Sequence, residues 1–163
     1  MSSENVWQNN DGLEVRFGTR SAENERAGVT RISGNKGELV LTFNYDDLPG
    51  GSDVSGNTSY GTLPAGAIVT DAYVTASTAF AGGTSYDIGL QQLDGSTAID
   101  VDGLFDAVTL AEVNAGDSAR GHGGTNSGVL LDQPLAAAAQ VVASATGSFT
   151  AGTAKLVIEF TVQ

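Results

Sequence analysis

The sequence predicts an all-β protein, an antiparallel two-sheet sandwich of jelly-roll type with an N-terminal strand-bearing arm, and three observations predict it. Composition is the first: 22 glycines, only three prolines and no cysteine in 163 residues favour a turn-rich β protein over a helical bundle. The second is a two-residue rhythm of apolar and polar side chains that recurs along the chain and gives each strand one buried and one wet face, the pattern of antiparallel sheets. Size is the third. A chain this long can bury roughly two thirds of its unfolded surface, and residues 62–163 match the roughly 100 residues of one β-sandwich domain.

The organisation read from these signals is an N-terminal arm with strands over 1–48, a Gly/Ser-rich linker or loop over 49–61, and the sandwich over 62–163. In "VWQNNDGLEVRFGTR", Leu13, Val15 and Phe17 alternate with Glu14 and Arg16, a short strand whose apolar side needs a partner. "GELVLTFNY" aligns Leu39, Leu41, Phe43 and Tyr45 on one face. "PGGSDVSGNTSYG" has linker composition. Leu63-Pro64-Ala65-Gly66 is turn chemistry, with Pro fixing φ and Gly free to take φ > 0.

From Ile68 the even positions, Ile68, Thr70, Ala72, Val74, Ala76, Thr78 and Phe80, form a mildly apolar face. Ala and Thr in place of Leu and Ile predict close approach of another layer. "SYDIGLQQL" sets Tyr86, Ile88 and Leu90 against Ser85, Asp87, Gly89 and Gln91, and "TAKLVIEFTV" sets Ala154, Leu156, Ile158, Phe160 and Val162 against Lys155, Val157, Glu159 and Thr161. Turns are expected at "AGGTS", "DGS" and "TAG". Two segments are ambiguous. "VDGLFDAVTLAEVN" spaces Leu104, Val108 and Ala111 helically and fits a short helix or a loop ending in a strand; in "QPLAAAAQVVASATGSF" the alternation favours a strand over Gln140 to Thr146, despite Pro134 and four alanines. No fixed repeat points to a solenoid or propeller.

Seven cations against 19 acids give a net charge of −12, which disfavours phosphate backbones and anionic lipid as partners. Residues 1–48 carry five of those cations (Arg16, Arg20, Arg26, Arg31, Lys36) and eight acids, net −3; the remainder carries two and eleven, net −9. The start, "MSSENVWQNN", lacks the basic and apolar regions of a signal peptide, and no run of about 18 apolar residues occurs. Synthesis and folding in a cytoplasm, without an anchor, are expected. Disulfides and Cys-ligated zinc are excluded.

Candidate chemistry is sparse. The one histidine, His122, lies in "SARGHGGTNSG" with Ser118 and Ser127 near in sequence, but no nucleophile elbow is present. Asp94, Asp100 and Asp102 cluster in "DGSTAIDVDG". Aligned to the EF-hand pattern through Gly103, they leave Ala98 at the first ligand position and Thr109 at the terminal Glu position, so that motif fails and only an irregular cation loop would remain. Gly-rich runs lack the Lys-Ser/Thr of a phosphate loop. Paired carboxylates for glycoside hydrolysis would need an aromatic-walled cleft, and the one Trp, Trp7, falls outside the sandwich segment. No enzyme, cofactor or metal is expected.

"LPAGAIVTDAYVTASTAF", the Gly-rich turn with "SYDIGL", "DVDGLFDAV" and "GSFTAGTAKLVIEFTV" together resemble the capsid decoration, or cement, proteins of tailed phages. "VWQNNDGLEVRFGT" is similar to the N-terminal segment that often precedes that domain in phage structural proteins. The resemblance implies a jelly-roll protein on the outer capsid surface of the virion, bound to the major capsid protein, reinforcing contacts between capsomers and acting as a homotrimer, with a dimer as the alternative. Val6, Trp7, Leu13, Val15, Arg16, Phe17 and Arg20 are the expected contacts with the capsid or a neighbouring subunit, because they hold the Trp and open the most cation-rich region. The Ala/Thr/Val strand is expected to suit subunit packing. The alternative function is a carbohydrate-binding or adhesin domain on a head fibre or tail accessory, working through the "ARGHGGTNSG" loop.

Overall fold

Strand pairing is nested. The computed structural model describes residues 5–10, 13–17, 29–47, 62–94, 96–112, 118–120 and 128–162. Its strands are β1 (Asn5–Gln8), β2 (Leu13–Phe17), β3 (Val29–Ser33), β4 (Lys36–Asn44), β5 (Thr62–Leu63), β6 (Ile68–Ala81), β7 (Ser85–Gln92), β8 (Ala98–Thr109), β9 (Ser118–Arg120), β10 (Ala139–Thr146) and β11 (Ala151–Thr161). Strand β7 pairs with β8, β6 with β9, β5 with β10 and β4 with β11, all antiparallel. A long hairpin wound in this way gives two sheets, β4-β11-β6-β9 and β5-β10-β7-β8, which is the jelly-roll arrangement. Strands β3, β2 and β1 extend the first sheet beyond β4, making it seven-stranded.

The core lies between the sheets. Leu39, Leu41 and Phe43 of β4, Ala72 and Val74 of β6 and Leu156, Ile158 and Phe160 of β11 face Tyr86, Ile88, Leu90, Leu104, Phe105, Val108 and Val141 of the second sheet, all buried. One end is filled by rings: Phe43, Phe80, Tyr86 and Phe149 sit with centroids 5.4–6.2 Å apart, in tilted and edge-on contacts each worth about 0.5–1.5 kcal/mol beyond area burial. Layers are tied at the edge by the Thr30 hydroxyl, which donates to the Thr62 carbonyl at 2.9 Å. At the other end Gly66, at φ 78 with Ala67 N donating to the Pro64 carbonyl, closes the expected turn.

Several expectations are corrected. On β6 the even-numbered face holds for Ala72, Val74, Ala76 and Phe80, but Thr70 and Thr78 are exposed and Val69 is buried. Opposite β11 the register slips between Asp71 and Val69, between Ala76 and Thr78 and between Thr78 and Ala81; each extra residue flips the facing of the strand beyond it. The small residues Ala72 and Ala76 serve the protein's own core rather than a subunit contact. Tyr45 is 37% exposed because the strand ends at Asn44 and the chain turns through a 3₁₀ turn, Tyr45–Asp47. "TAG" is not a turn: Ala151 and Gly152 open β11, and the reversal falls at residues 147–150.

The ambiguous "VDGLFDAVTLAEVN" is mainly strand, ending in a single 3₁₀ turn, Leu110–Glu112. Its polar-face neighbours on β7, Gly89 and Gln91, are buried rather than wet. Ile88 pairs with Phe105 and Leu90 with Asp100, so β8 spends three residues more than β7 over this interval. A Cβ at Gly89 would collide with the backbone of Asp100 and Val101. Glycine is what lets the excursion lie against β7. The expected strand over Gln140 to Thr146 is present, beginning one residue earlier at Ala139.

Candidate interaction surface

Because side chains alternate along each strand, the pairings sort the first sheet's residues into rows running across it. One outward row is Trp7, Val15, Arg31, Glu38, Glu159 and Asp71; two residues along is a second, Leu13, Ser33, Lys36, Thr161 and Ile68. Between them the intervening row turns into the sandwich, with Gly37 opposite Phe160. A Cβ at Gly37 would run into the Phe160 ring. The outcome is an open groove of about 530 Å³ lined by Leu13, Arg31, Ser33, Lys36, Glu38, Thr70, Glu159 and Thr161 over a floor of Gly37 and Phe160.

On the other side of the first row lie Val29, Val40, Val157 and Tyr73, directly opposite one another across four strands. Val157, expected on the wet face of β11, does point away from the sandwich core yet is only 3% exposed, between Val40 and Tyr73. The outer face therefore carries an apolar band beside a polar groove.

Of the expected contact residues, Val6, Trp7, Leu13, Val15, Arg16 and Phe17 fall together at one margin of this sheet. Val6 pairs with Arg16, Trp7 with Val15, and Phe17 with Val29. Asn9 closes the hairpin, donating its N–H to the Leu13 carbonyl and accepting from Leu13 N on its side-chain oxygen. Trp7 is 54% exposed, while Leu13 and Val15 are half-buried. Among the described residues strand β1 is paired on one side only, by β2, and forms the sheet's outer edge. Arg20, His122, Ser127 and the stretch 49–61 lie outside the described residues, and Ser118 opens β9, opposite Thr75 of β6.

The aspartate cluster does not assemble into a site. Asp94 accepts from Ser96 N and Thr97 N at 2.9 Å and from the Thr97 hydroxyl at 2.6 Å, and these bonds, that hydroxyl first, lower its pKa to about 2. Asp100 is pushed above the usual carboxylate range, by the Asp102 carboxyl first and then by burial. Among the described residues no three His, Cys, Asp or Glu side chains are grouped to hold a metal ion.

No family model and no curated protein matches the sequence. A solved structure does match in fold. It is a chain titled "Capsid of Ralstonia phage GP4", with a TM-score of 0.51 and 18% identity, over 76% of this chain and 84% of that one. This chain shares a fold with a phage capsid chain. The groove rows were not visible beforehand, because Leu13, Arg31, Lys36 and Glu159 are brought together only by strand pairing. The one signal available was the concentration of cations before residue 48.

Proposed function

We propose that the protein is a structural component of a phage virion that binds the outer surface of the capsid and reinforces contacts between capsomers, as a homo-oligomer, with the trimer preferred over the dimer. The observation that carries this reading is the three-strand extension of the jelly roll, which, among the described residues, ends on an edge paired on one side only, β1. Edge strands of free proteins are usually blunted by charges or proline. Asn5-Val6-Trp7-Gln8 has neither, although the chain as a whole carries −12. Such an edge is suited to accept a strand from another chain, with main-chain hydrogen bonds supplying affinity. The fold likeness to a phage capsid chain supports a virion role.

Reinforcement follows by mass action. A protein that binds the assembled shell but not its dissociated subunits stabilises the shell by about 2.7 kcal/mol at a hundredfold excess over its dissociation constant, and an oligomer spanning several capsomers gains further through effective concentration.

The test is to delete residues 2–20. Among the described residues strands β1 and β2 pair only with each other and with β3, outside the eight nested strands, so the truncated protein is expected to unfold cooperatively on heating but to be lost from particles. Normal decoration by the truncated protein would refute the role of the hairpin. Equal rupture temperatures for decorated and stripped particles would refute reinforcement.

A further inference from the structure

We propose that the outer face of the seven-stranded sheet is a saccharide-binding surface, with the groove between the Arg31-Glu38-Glu159 row and the Ser33-Lys36-Thr161 row as the binding cleft and Trp7 as a stacking platform at its margin. This is a different place from the loop that the sequence suggested for carbohydrate recognition; the groove lies inward of the β1 edge proposed to dock on a particle, and only Trp7, on β1, is shared between the two.

Size is the first argument. The groove's volume of about 530 Å³ falls within the roughly 300–1,000 Å³ typical of small-ligand sites. It crosses from β2 to β6, four inter-strand steps, which at about 4.8 Å each is about 19 Å. That suits a short oligosaccharide or a segment of a longer polymer.

Chemistry decides the class. The lining offers two cations, Arg31 and Lys36, two acids, Glu38 and Glu159, and the hydroxyls of Ser33, Thr70 and Thr161. Over the described residues its formal charge is zero in a protein of net charge −12, so a polyanion gains nothing from them and is repelled by the molecule as a whole. An uncharged polyol uses both kinds of wall: its hydroxyls donate to the carboxylates and accept from guanidinium and ammonium, charge-assisted bonds roughly twice as strong as neutral ones. A protein segment fits less well. Among the described residues the apolar side chains in the groove are half-buried Leu13 and the buried Phe160, and the centres of protein interfaces are the more apolar parts.

Trp7 is the independent observation. Its position in the register, opposite Val15 and so in line with Arg31, puts it on the groove's side of the sheet, and it is 54% exposed. Two strand spacings, about 10 Å, separate it from Arg31. The C–H face of a sugar ring packs on an indole, while the equatorial hydroxyls reach the polar walls.

The experiment is affinity electrophoresis of the full chain through gels holding dextran, amylose, galactomannan or mixed-linkage β-glucan, with hyaluronan as the anionic control. Retardation by at least one neutral polymer is expected, weakened roughly ten- to a hundredfold in Glu38→Gln/Glu159→Gln, which removes two charged acceptors without changing shape. Trp7→Ala should also weaken it, and unchanged thermal unfolding of the double variant shows that the fold is intact. Retardation by none of the neutral polymers, or by hyaluronan alone, would overturn the inference. So would retardation that survives both variants. Loss of particle decoration by the double variant without saccharide retention would make the groove a protein contact and overturn it too, while leaving the virion role standing.

Discussion

Asp87 on β7 holds Ala107 on β8 in a left-handed backbone conformation. Its Oδ1 accepts from Ala107 N at 2.7 Å, its Oδ2 accepts from the Ser144 hydroxyl at 3.1 Å, and Ala107 sits at φ 54. Removing the carboxylate leaves both donors to find new acceptors, so Asp87→Ala should cost about 2 kcal/mol in urea unfolding. Ala107→Gly should do the reverse. It relieves roughly 1–2 kcal/mol of left-handed strain, less the roughly 0.4–1 kcal/mol that glycine returns to the unfolded chain, for a net gain of about 0.5 kcal/mol.

Gly37 and Phe160 make the floor of the groove. A Cβ at Gly37 would run into the ring end of a residue 1% exposed. Gly37→Ala should therefore destabilise by about 1–3 kcal/mol through overpacking, a fall of several degrees in the melting temperature by calorimetry.

Tyr86 is fully buried among Phe43, Phe80 and Phe149, and its hydroxyl has no hydrogen-bond partner among the described residues. Burial first, and the charge of Glu112 second, push its pKa far up, so it stays neutral. Tyr86→Phe removes a desolvated polar atom without altering shape, and should raise stability by about 1 kcal/mol in denaturant titration.

Acid should expose Asp94. A carboxylate held at about 2 against about 3.9 unfolded contributes stability that is present above the unfolded value and lost as pH falls through the folded one. The difference in melting temperature between wild type and Asp94→Ala should therefore shrink as pH falls below about 3.9, and carboxyl NMR should show Asp94 titrating near 2.

Asp100 predicts the opposite sign. Its pKa is raised, by Asp102 first and by burial second, so its ionisation at neutral pH opposes folding, and the penalty disappears as pH drops below the unfolded value. Asp102→Asn should raise the melting temperature at pH 7 but not in acid, and should move the Asp100 NMR titration down.

Legibility tracked the regularity of the strands. Leu39, Leu41 and Phe43, and likewise Leu156, Ile158 and Phe160, were readable because β4 and β11 pair without slipping over nine residues. On β6 the rhythm misplaced Val69, Thr70 and Thr78, since a bulge flips facing without any mark in the composition. Gly89 read as wet because nothing local reveals that Asp100 and Val101 of β8 lie over it, and Gln91 is buried as well. Strand β2 was legible from Leu13, Val15 and Phe17, whereas its hairpin partner β1 and the groove were not: a cleft made of Arg31, Lys36 and Glu159 exists only once residues more than a hundred apart are neighbours.

The nested pairing has a temporal side. The Thr153 hydroxyl bonds the Asn44 side chain across 109 residues, so the first strand of the jelly roll waits for the last. At roughly 5–20 residues per second, a ribosome needs on the order of 5 to 20 s to travel that distance. During that interval Leu39, Leu41 and Phe43 have no β11 to meet, and β6 lacks the same neighbour. Long-range closure of this kind is slow even in a finished chain. The nascent protein is thus most prone to aggregate before Ala151 emerges, and cooler expression, which favours the wait over collision with other chains, should raise its soluble yield.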